Sequence, residues 1–250
     1  MNAIILAGAP NKGPLRQVSP AQYEAEIEIA GRPMLDYVIL ALERVQSVKK
    51  IVIVGSESML SNHKSNTEQF TFIKPGLTVI ESLENGIGAL NEREPVLILT
   101  SDIPLITKEA LEDFLNLCQE RVGDIYYSFV PKTVNDQKYP GVQRTYVRLK
   151  EGIFTGGNLV LLSPEIIHDK FNTLKRAVAL RKKPLKLCGM LGWLYICKLI
   201  FGVLTIREIE NRVTEIFGIK AVGIVSLYPE VGIDVDKPSD LKLAREVLTK

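Results

Sequence analysis

Two kinds of side chain in this sequence could act together on a phosphate ester: cations in a glycine-containing loop and carboxylates at the ends of apolar runs. Residues 8–17 hold Gly8, Gly13, Lys12 and Arg16 with two prolines. Backbone amides and cations in such a loop can share the charge of a polyphosphate. Asp102 follows an apolar run directly, and Asp234 and Asp236 alternate along an extended stretch, so the latter two share a face. Carboxylates suit Mg²⁺, a hard cation that takes oxygen ligands and bridges phosphate oxygens. Asp102 and Asp236 are the expected metal ligands, and the combination is the minimum for in-line displacement at phosphorus. Each signal also has a plain structural reading. The loop matches neither GxxxxGK[ST] nor GxGxxG and could be a turn, Asp102 could cap the next segment, and residues 234–236 could be a solvated edge.

The elements that would position these groups follow a regular alternation. Ala3-Ile4-Ile5-Leu6-Ala7, Ile51-Val52-Ile53-Val54 and Val96-Leu97-Ile98-Leu99-Thr100 are short apolar runs that read as buried strands. Met34, Leu35, Val38, Ile39, Leu42 and Val45 form a helical stripe, and Leu111, Phe114, Leu115 and Cys118 form another after a Thr107 start. Thr78-Val79-Ile80 reads as a short strand, with Ser82 capping the helix after it. Further strands are expected over residues 124–131, 145–149, 159–162 and 222–228, and helices from Pro164 and over 238–248. This alternation predicts a three-layer α/β/α, Rossmann-like fold with a mostly parallel mixed sheet. In such sheets ligands bind beyond the carboxyl ends of the strands, where the loop, Asp102 and Asp236 fall.

Bulk composition narrows the function. The chain has 250 residues, 46% hydrophobic and 24% charged, with a formal net charge of +2. That balance gives no global basic field for nucleic acid. The cysteines Cys118, Cys188 and Cys197 make no CxxC pair, and His63 and His168 are too few for a zinc site. Sparse cysteine and the lack of a signal-peptide pattern at the start point to a cytoplasmic protein.

Several segments resemble MobA-like nucleotidyltransferases, a group with the nucleotide-diphospho-sugar transferase fold. These are Ile4-Ile5-Leu6-Ala7-Gly8-Ala9 with its basic loop, Gly31-Arg32-Pro33-Met34-Leu35, Ser82-Leu83-Glu84-Asn85-Gly86-Ile87, Ser101-Asp102-Ile103-Pro104, Gly156-Gly157-Asn158 and residues 232–241. They occur in the family's order over about residues 1–165 and 220–250. The resemblance implies Mg²⁺-dependent transfer of a nucleoside monophosphate from a nucleoside triphosphate to a small phosphorylated or hydroxylated acceptor. Lys12, Arg16 and Asp102 would be catalytic. Leu6, Ala7, Gly8, Ala9, Gly13, Ser82 and Ser101 would hold the nucleotide, Gly157 and Asn158 would face the acceptor, and Asp102 and Asp236 would hold the metal. The sequence departs from the family at Tyr23-Glu24-Ala25-Glu26-Ile27-Glu28, an acidic stretch where the family places a lysine. A missing cation of that kind costs about 10²–10³-fold in rate. Lys12, Lys132 or Arg144 could supply the cation instead; without one, the loss motivates the alternative of a non-catalytic nucleotide-binding or regulatory module.

One stretch lies outside the pattern. Seven basic residues (Lys170, Lys175, Arg176, Arg181, Lys182, Lys183 and Lys186) lead into an apolar segment at 185–206 that holds Trp193, the only tryptophan. The central Lys198 and three glycines argue against a membrane span. The segment reads as part of a helical insert at 170–218 within one domain over 1–250. It would pack on the domain or on a second subunit, or dock peripherally on a membrane surface.

Overall fold

The computed structural model describes residues 1–56, 59, 69–90, 94–181 and 192–249. The strands are β1 (Asn2–Leu6), β2 (Glu28–Ile29), β3 (Arg32–Pro33), β4 (Lys50–Val54), β5 (Phe70–Ile73), β6 (Val96–Thr100), β7 (Ile125–Pro131), β8 (Val147–Leu149), β9 (Gly152–Leu162) and β10 (Ala221–Val225). The helices are α1 (Met34–Glu43), α2 (Val79–Gly88), α3 (Lys108–Gln119), α4 (Lys132–Lys138), α5 (Pro164–His168), α6 (Phe171–Arg181), α7 (Trp193–Ile200), α8 (Ile206–Phe217) and α9 (Pro238–Leu248).

Eight strands form one mixed sheet in the order β10-β7-β9-β6-β1-β4-β5, with β8 paired to β9, while β2 and β3 make a separate ribbon. β1 runs parallel to β4 and β6, and β4 parallel to β5. β9 is antiparallel to β6, β7 and β8. The apolar runs are continuous because both faces of the sheet are covered. Ile5, Ile53, Leu97 and Leu99 turn to one face, under Val38 and Leu42 of α1 and Leu111 and Phe114 of α3. Their neighbours Ile4, Val52, Val54 and Ile98 turn to the other, under Leu83 of α2, Ile166 of α5 and Leu174 of α6. The three-layer α/β architecture expected from the alternation is the one found.

Chain direction across the sheet reverses at β1. The path moves outward from β1 through β4 to β5, then returns to place β6 on the other side of β1. Such a switch point opens a crevice beyond the strand ends, at Leu6-Ala7-Gly8 and Ser101-Asp102.

Several local expectations change. Thr78-Val79-Ile80 is not a strand: Thr78 caps α2, its Oγ1 accepting the Glu81 amide at 3.1 Å. Ser82 therefore lies inside α2 and caps nothing; its Oγ accepts the Gly76 amide at 3.0 Å. A threonine before an acidic residue was the stronger cap signal. β9 begins at Gly152, so Gly156, Gly157 and Asn158 lie within the strand. α4 shows no apolar stripe in sequence and rests on the buried Asn135 and a Lys132–Asp136 ion pair.

α6, α7 and α8 fall between β9 and β10, inside the expected insert. Lys182, Lys183, Lys186, Cys188 and residues 185–191 lie outside the described residues, as do His63 and residues 60–68 of the polar stretch after β4. Among the described residues no helix is long and apolar enough to cross a membrane.

Candidate functional site

The C-terminal ends of β4, β1 and β6 are flush, because Leu6 pairs with Val54 on one side and Thr100 on the other. The ladder extends one step further through the Ala7 amide to the Val54 carbonyl (2.8 Å) and the Ser101 amide to the Leu6 carbonyl (3.2 Å). Gly8 turns away from the sheet where Pro75 approaches. A Cβ at Gly8 would lie 2.6 Å from the Pro75 Cβ, so no larger residue fits without a shift. Asp102 is carried to the lip of the crevice by β6.

The second acidic segment reaches the same place through its own alternation. Ile233 and Val235 are buried with Leu15, Met34 and Leu241, which turns Asp234 and Asp236 the other way. The Val235 amide donates to the Asp102 carbonyl at 2.8 Å and fixes the two segments together. Carboxylate oxygens of Asp102, Asp234 and Asp236 consequently lie within 4.8 Å of one another. Each of the three could offer one oxygen to a shared cation.

The electrostatics of the cluster point the same way. Asp102 Oδ1 is buried and has no hydrogen-bond partner. Burial pushes the Asp102 carboxyl up to about 7, the nearby Thr100 hydroxyl opposes that rise, and the carboxylates of Asp234 and Asp236 add to it. Asp234 is raised as well, by burial first and then by Asp236, with Arg144 opposing. A buried, unpartnered oxygen facing two further acids is costly unless a cation or a proton satisfies it. These residues fit a divalent cation with oxygen preference.

Asp234 and Glu24 join the site although the sequence did not assign them, and Arg144, a candidate to replace the missing lysine, lies there too. Asp234 joins Asp102 and Asp236; its alternation with Asp236 was the visible signal. Arg144 is buried, donating from Nη2 to the Asp234 carbonyl (2.6 Å) and from Nε to the Gly232 carbonyl (3.2 Å). Its guanidinium also stands 3.3 Å from Asp240 Oδ1 and 3.4 Å from Asp234 Oδ1. The sequence offers it only as a stand-in for the missing lysine, and its partner Asp234 lies 90 positions away. Glu24 is close enough to Asp236 for the two charges to repel: burial raises its carboxyl, and Asp236 raises it further. The acidic stretch thus faces the metal cluster.

A cleft of about 670 Å³ opens beside the aspartates, lined in part by Arg144, Gly157, Asn158, Asp234 and Asp236. The expected acceptor residues Gly157 and Asn158 therefore share a cavity with Asp236. Asn158 Nδ2 donates to the Val231 carbonyl at 3.3 Å. A Cβ on Gly157 would lie 2.3 Å from Ser128 Oγ and 2.7 Å from Val231 Cγ1. The other expected site residues, Leu6, Ala7, Gly8, Ala9, Lys12, Gly13, Arg16, Ser82, Ser101 and Asp102, are not among the residues lining that cleft. Lys12 and Gly13 are exposed on their loop. The loop touches the acidic side where the Ala9 carbonyl accepts the Glu24 amide at 3.0 Å. Arg16 donates from Nη1 to the Ala21 carbonyl at 2.9 Å, within its own loop. Ser101 is buried beside Asp102.

Known proteins share the fold. A solved hypothetical transferase from Thermus thermophilus is 35% identical and covers 96% of this chain and 100% of its own, with a TM-score of 0.82. A 4-diphosphocytidyl-2C-methyl-D-erythritol synthase from Anaerococcus prevotii shares the fold at 14% identity and a TM-score of 0.63, covering 100% of this chain and 96% of its own. The bifunctional protein GlmU of Thermoanaerobacter pseudethanolicus is 31% identical over 94 residues, 36% of this chain. That match spans only 20% of GlmU's length. The family model of the MobA-like NTP transferase domain matches residues 17–176. The chain belongs to the MobA-like NTP transferase family.

Proposed function

We propose that this chain is a Mg²⁺-dependent nucleotidyltransferase. It moves a nucleoside monophosphate from a nucleoside triphosphate to a small phosphorylated or hydroxylated acceptor and releases pyrophosphate. The observation that carries this reading is the cluster of three carboxylates at the switch point, one of which, Asp102, has a buried oxygen without a hydrogen-bond partner. A structural relative, a CMP:2-keto-3-deoxy-manno-octonic acid synthetase solved with CTP, has the same fold at a TM-score of 0.61.

In this reading Asp102 and Asp236, with Asp234, hold the cation. A bound Mg²⁺ supplies charge neutralisation at the phosphate oxygens. Leu6, Ala7, Gly8, Ala9, Gly13, Ser82 and Ser101 form the nucleotide side, and Lys12 and Arg16 face the polyphosphate. Gly157 and Asn158 orient the acceptor so that its oxygen attacks the α-phosphorus in line. The bond from that phosphorus to the bridging oxygen breaks, and pyrophosphate leaves with the electron pair. The chain contributes orientation and charge placement, without a covalent intermediate.

A second reading has its own observation. Glu24 puts a fourth acid beside Asp236, where the family carries a cation. Extra negative charge opposes the transfer transition state, and a nucleotide-binding module without turnover would tolerate it. Pyrophosphate release across a panel of triphosphates and acceptors separates the two. Magnesium-dependent release with one pair supports the transferase. Nucleotide binding with no release under any pairing supports the module.

A further inference from the structure

We propose that the apolar face formed by α7 and the turn after it docks onto the surface of an anionic lipid bilayer. No residue of α7 is buried. Trp193 is 76% exposed, Ile200 75%, Phe201 76% and Val203 51%. Aromatic and branched side chains held in water at such exposure are unusual unless a partner surface covers them. The helix is nonetheless anchored. Tyr195 packs on the cluster of Leu149, Phe154 and Leu204, and the Arg212 guanidinium lies 5.4 Å from the Tyr195 ring centre. One face is seated on the protein, and the other is offered outward.

The charge around this face selects the occupant. Arg148, on β8, lies directly against the turn: a Cβ on Gly202 would be 2.9 Å from its Nε. Arg148 and Lys150 are exposed, and neither forms an ion pair among the described residues. Lys198 neutralises Glu208 and Arg212 neutralises Glu215, while Glu151 accepts only the Ile206 amide and keeps its charge. Arg148 and Lys150 against Glu151 leave the rim with one net positive charge around an apolar centre that includes a tryptophan. That composition matches an interfacial segment drawn to anionic headgroups. In an isologous contact with a second copy the same cationic rim would meet itself, which disfavours that occupant. α7 has 8 residues, enough to lie in the interface and too few to span it. Val147, on the same hairpin as Arg148, also lines the cleft beside Asp234 and Asp236. Docking would thus bring the cleft mouth towards the headgroup layer.

The test uses the full chain with vesicles of phosphatidylcholine alone or mixed with phosphatidylglycerol, and reads no turnover, so it is independent of the proposed transferase. Trp193 is the only tryptophan, so its emission reports this face alone. The chain should float with the anionic vesicles only, with a blue shift of that emission. Phe201→Glu should lose both, and Arg148→Ala should bind about five-fold more weakly, the effect of one basic residue near such a surface. Three results would overturn the proposal: no flotation with either vesicle, flotation without a shift in Trp193 emission, or undiminished binding by Phe201→Glu. A dimer that Phe201→Glu makes monomeric, with no vesicle binding by the native chain, would instead assign the face to a second copy.

Discussion

Replacing Asp102 by Asn should make the metal-free protein more stable at mildly alkaline pH, because burial penalises the ionised carboxyl. The Asp102 carboxyl rises from its ordinary 3.8 to about 7, through burial and the neighbouring Asp234 and Asp236. The folded state therefore favours the protonated form. Its contribution to stability is full below the unfolded value and is lost as the pH climbs through the folded one. At about 1.4 kcal/mol per pH unit of pKa difference, the metal-free chain loses at most roughly 2.5 kcal/mol between about pH 5 and about pH 8. For a chain of this size that loss lowers Tm by roughly 5–10 °C. Asn removes the titrating group, so the variant should show a shallower slope and a higher Tm than the native chain at the alkaline end; Asp234 keeps some slope in both. Magnesium at ~100 times its Kd restores about 2.7 kcal/mol to the native chain and should restore nothing to the variant. Thermal unfolding in chelator and in magnesium, at both pH values, reads all four states. A variant no more stable than the native chain at the alkaline end, or equally stabilised by magnesium, would refute the reasoning.

Other substitutions report on the supports of the site. Gly157→Ala should cost about 1–3 kcal/mol in urea unfolding, because the new methyl meets Ser128 Oγ and Val231 Cγ1 at under van der Waals distance; an unchanged midpoint would contradict the close approach. Arg144→Met should cost about 3–5 kcal/mol, since it strips a buried cation from Asp234, Asp240 and two main-chain carbonyls; a loss under ~1 kcal/mol would show that the 232–240 segment is held otherwise. Tyr139→Phe should cost about 1.5–3 kcal/mol, because the hydroxyl donates to the buried Glu230 Oε1 at 2.6 Å; an equal midpoint for the two chains would remove that bond from the account.

Much of the framework is readable from residue order because it is set by local period. The apolar runs at residues 3–7, 51–54 and 96–100 mark strands buried on both faces, and the Asp after the third marks the crevice. The pattern Ile233-Asp234-Val235-Asp236 also declares its geometry, since burying the two apolar residues must turn both acids outward. The nucleotide side is different. Arg16 sits on its own loop's carbonyl and Ser82 on the Gly76 amide, contacts set by how the chain turns and not by any spacing. Arg144 was legible only as a spare cation: its partners come from a segment that only the sheet brings near. The face of α7 was visible as apolar, yet which side faces water follows only from where Tyr195 is seated.

In the proposed transferase Asp102 and its neighbours bind a cation that in turn holds the nucleotide. Titration calorimetry of nucleoside triphosphates against the native chain and Asp102→Ala, each with and without magnesium, reads that linkage. The prediction is tight binding by the native chain only when magnesium is present, and none of that dependence in the variant, which stays folded. Equal magnesium-dependent affinity in both proteins would contradict the claim.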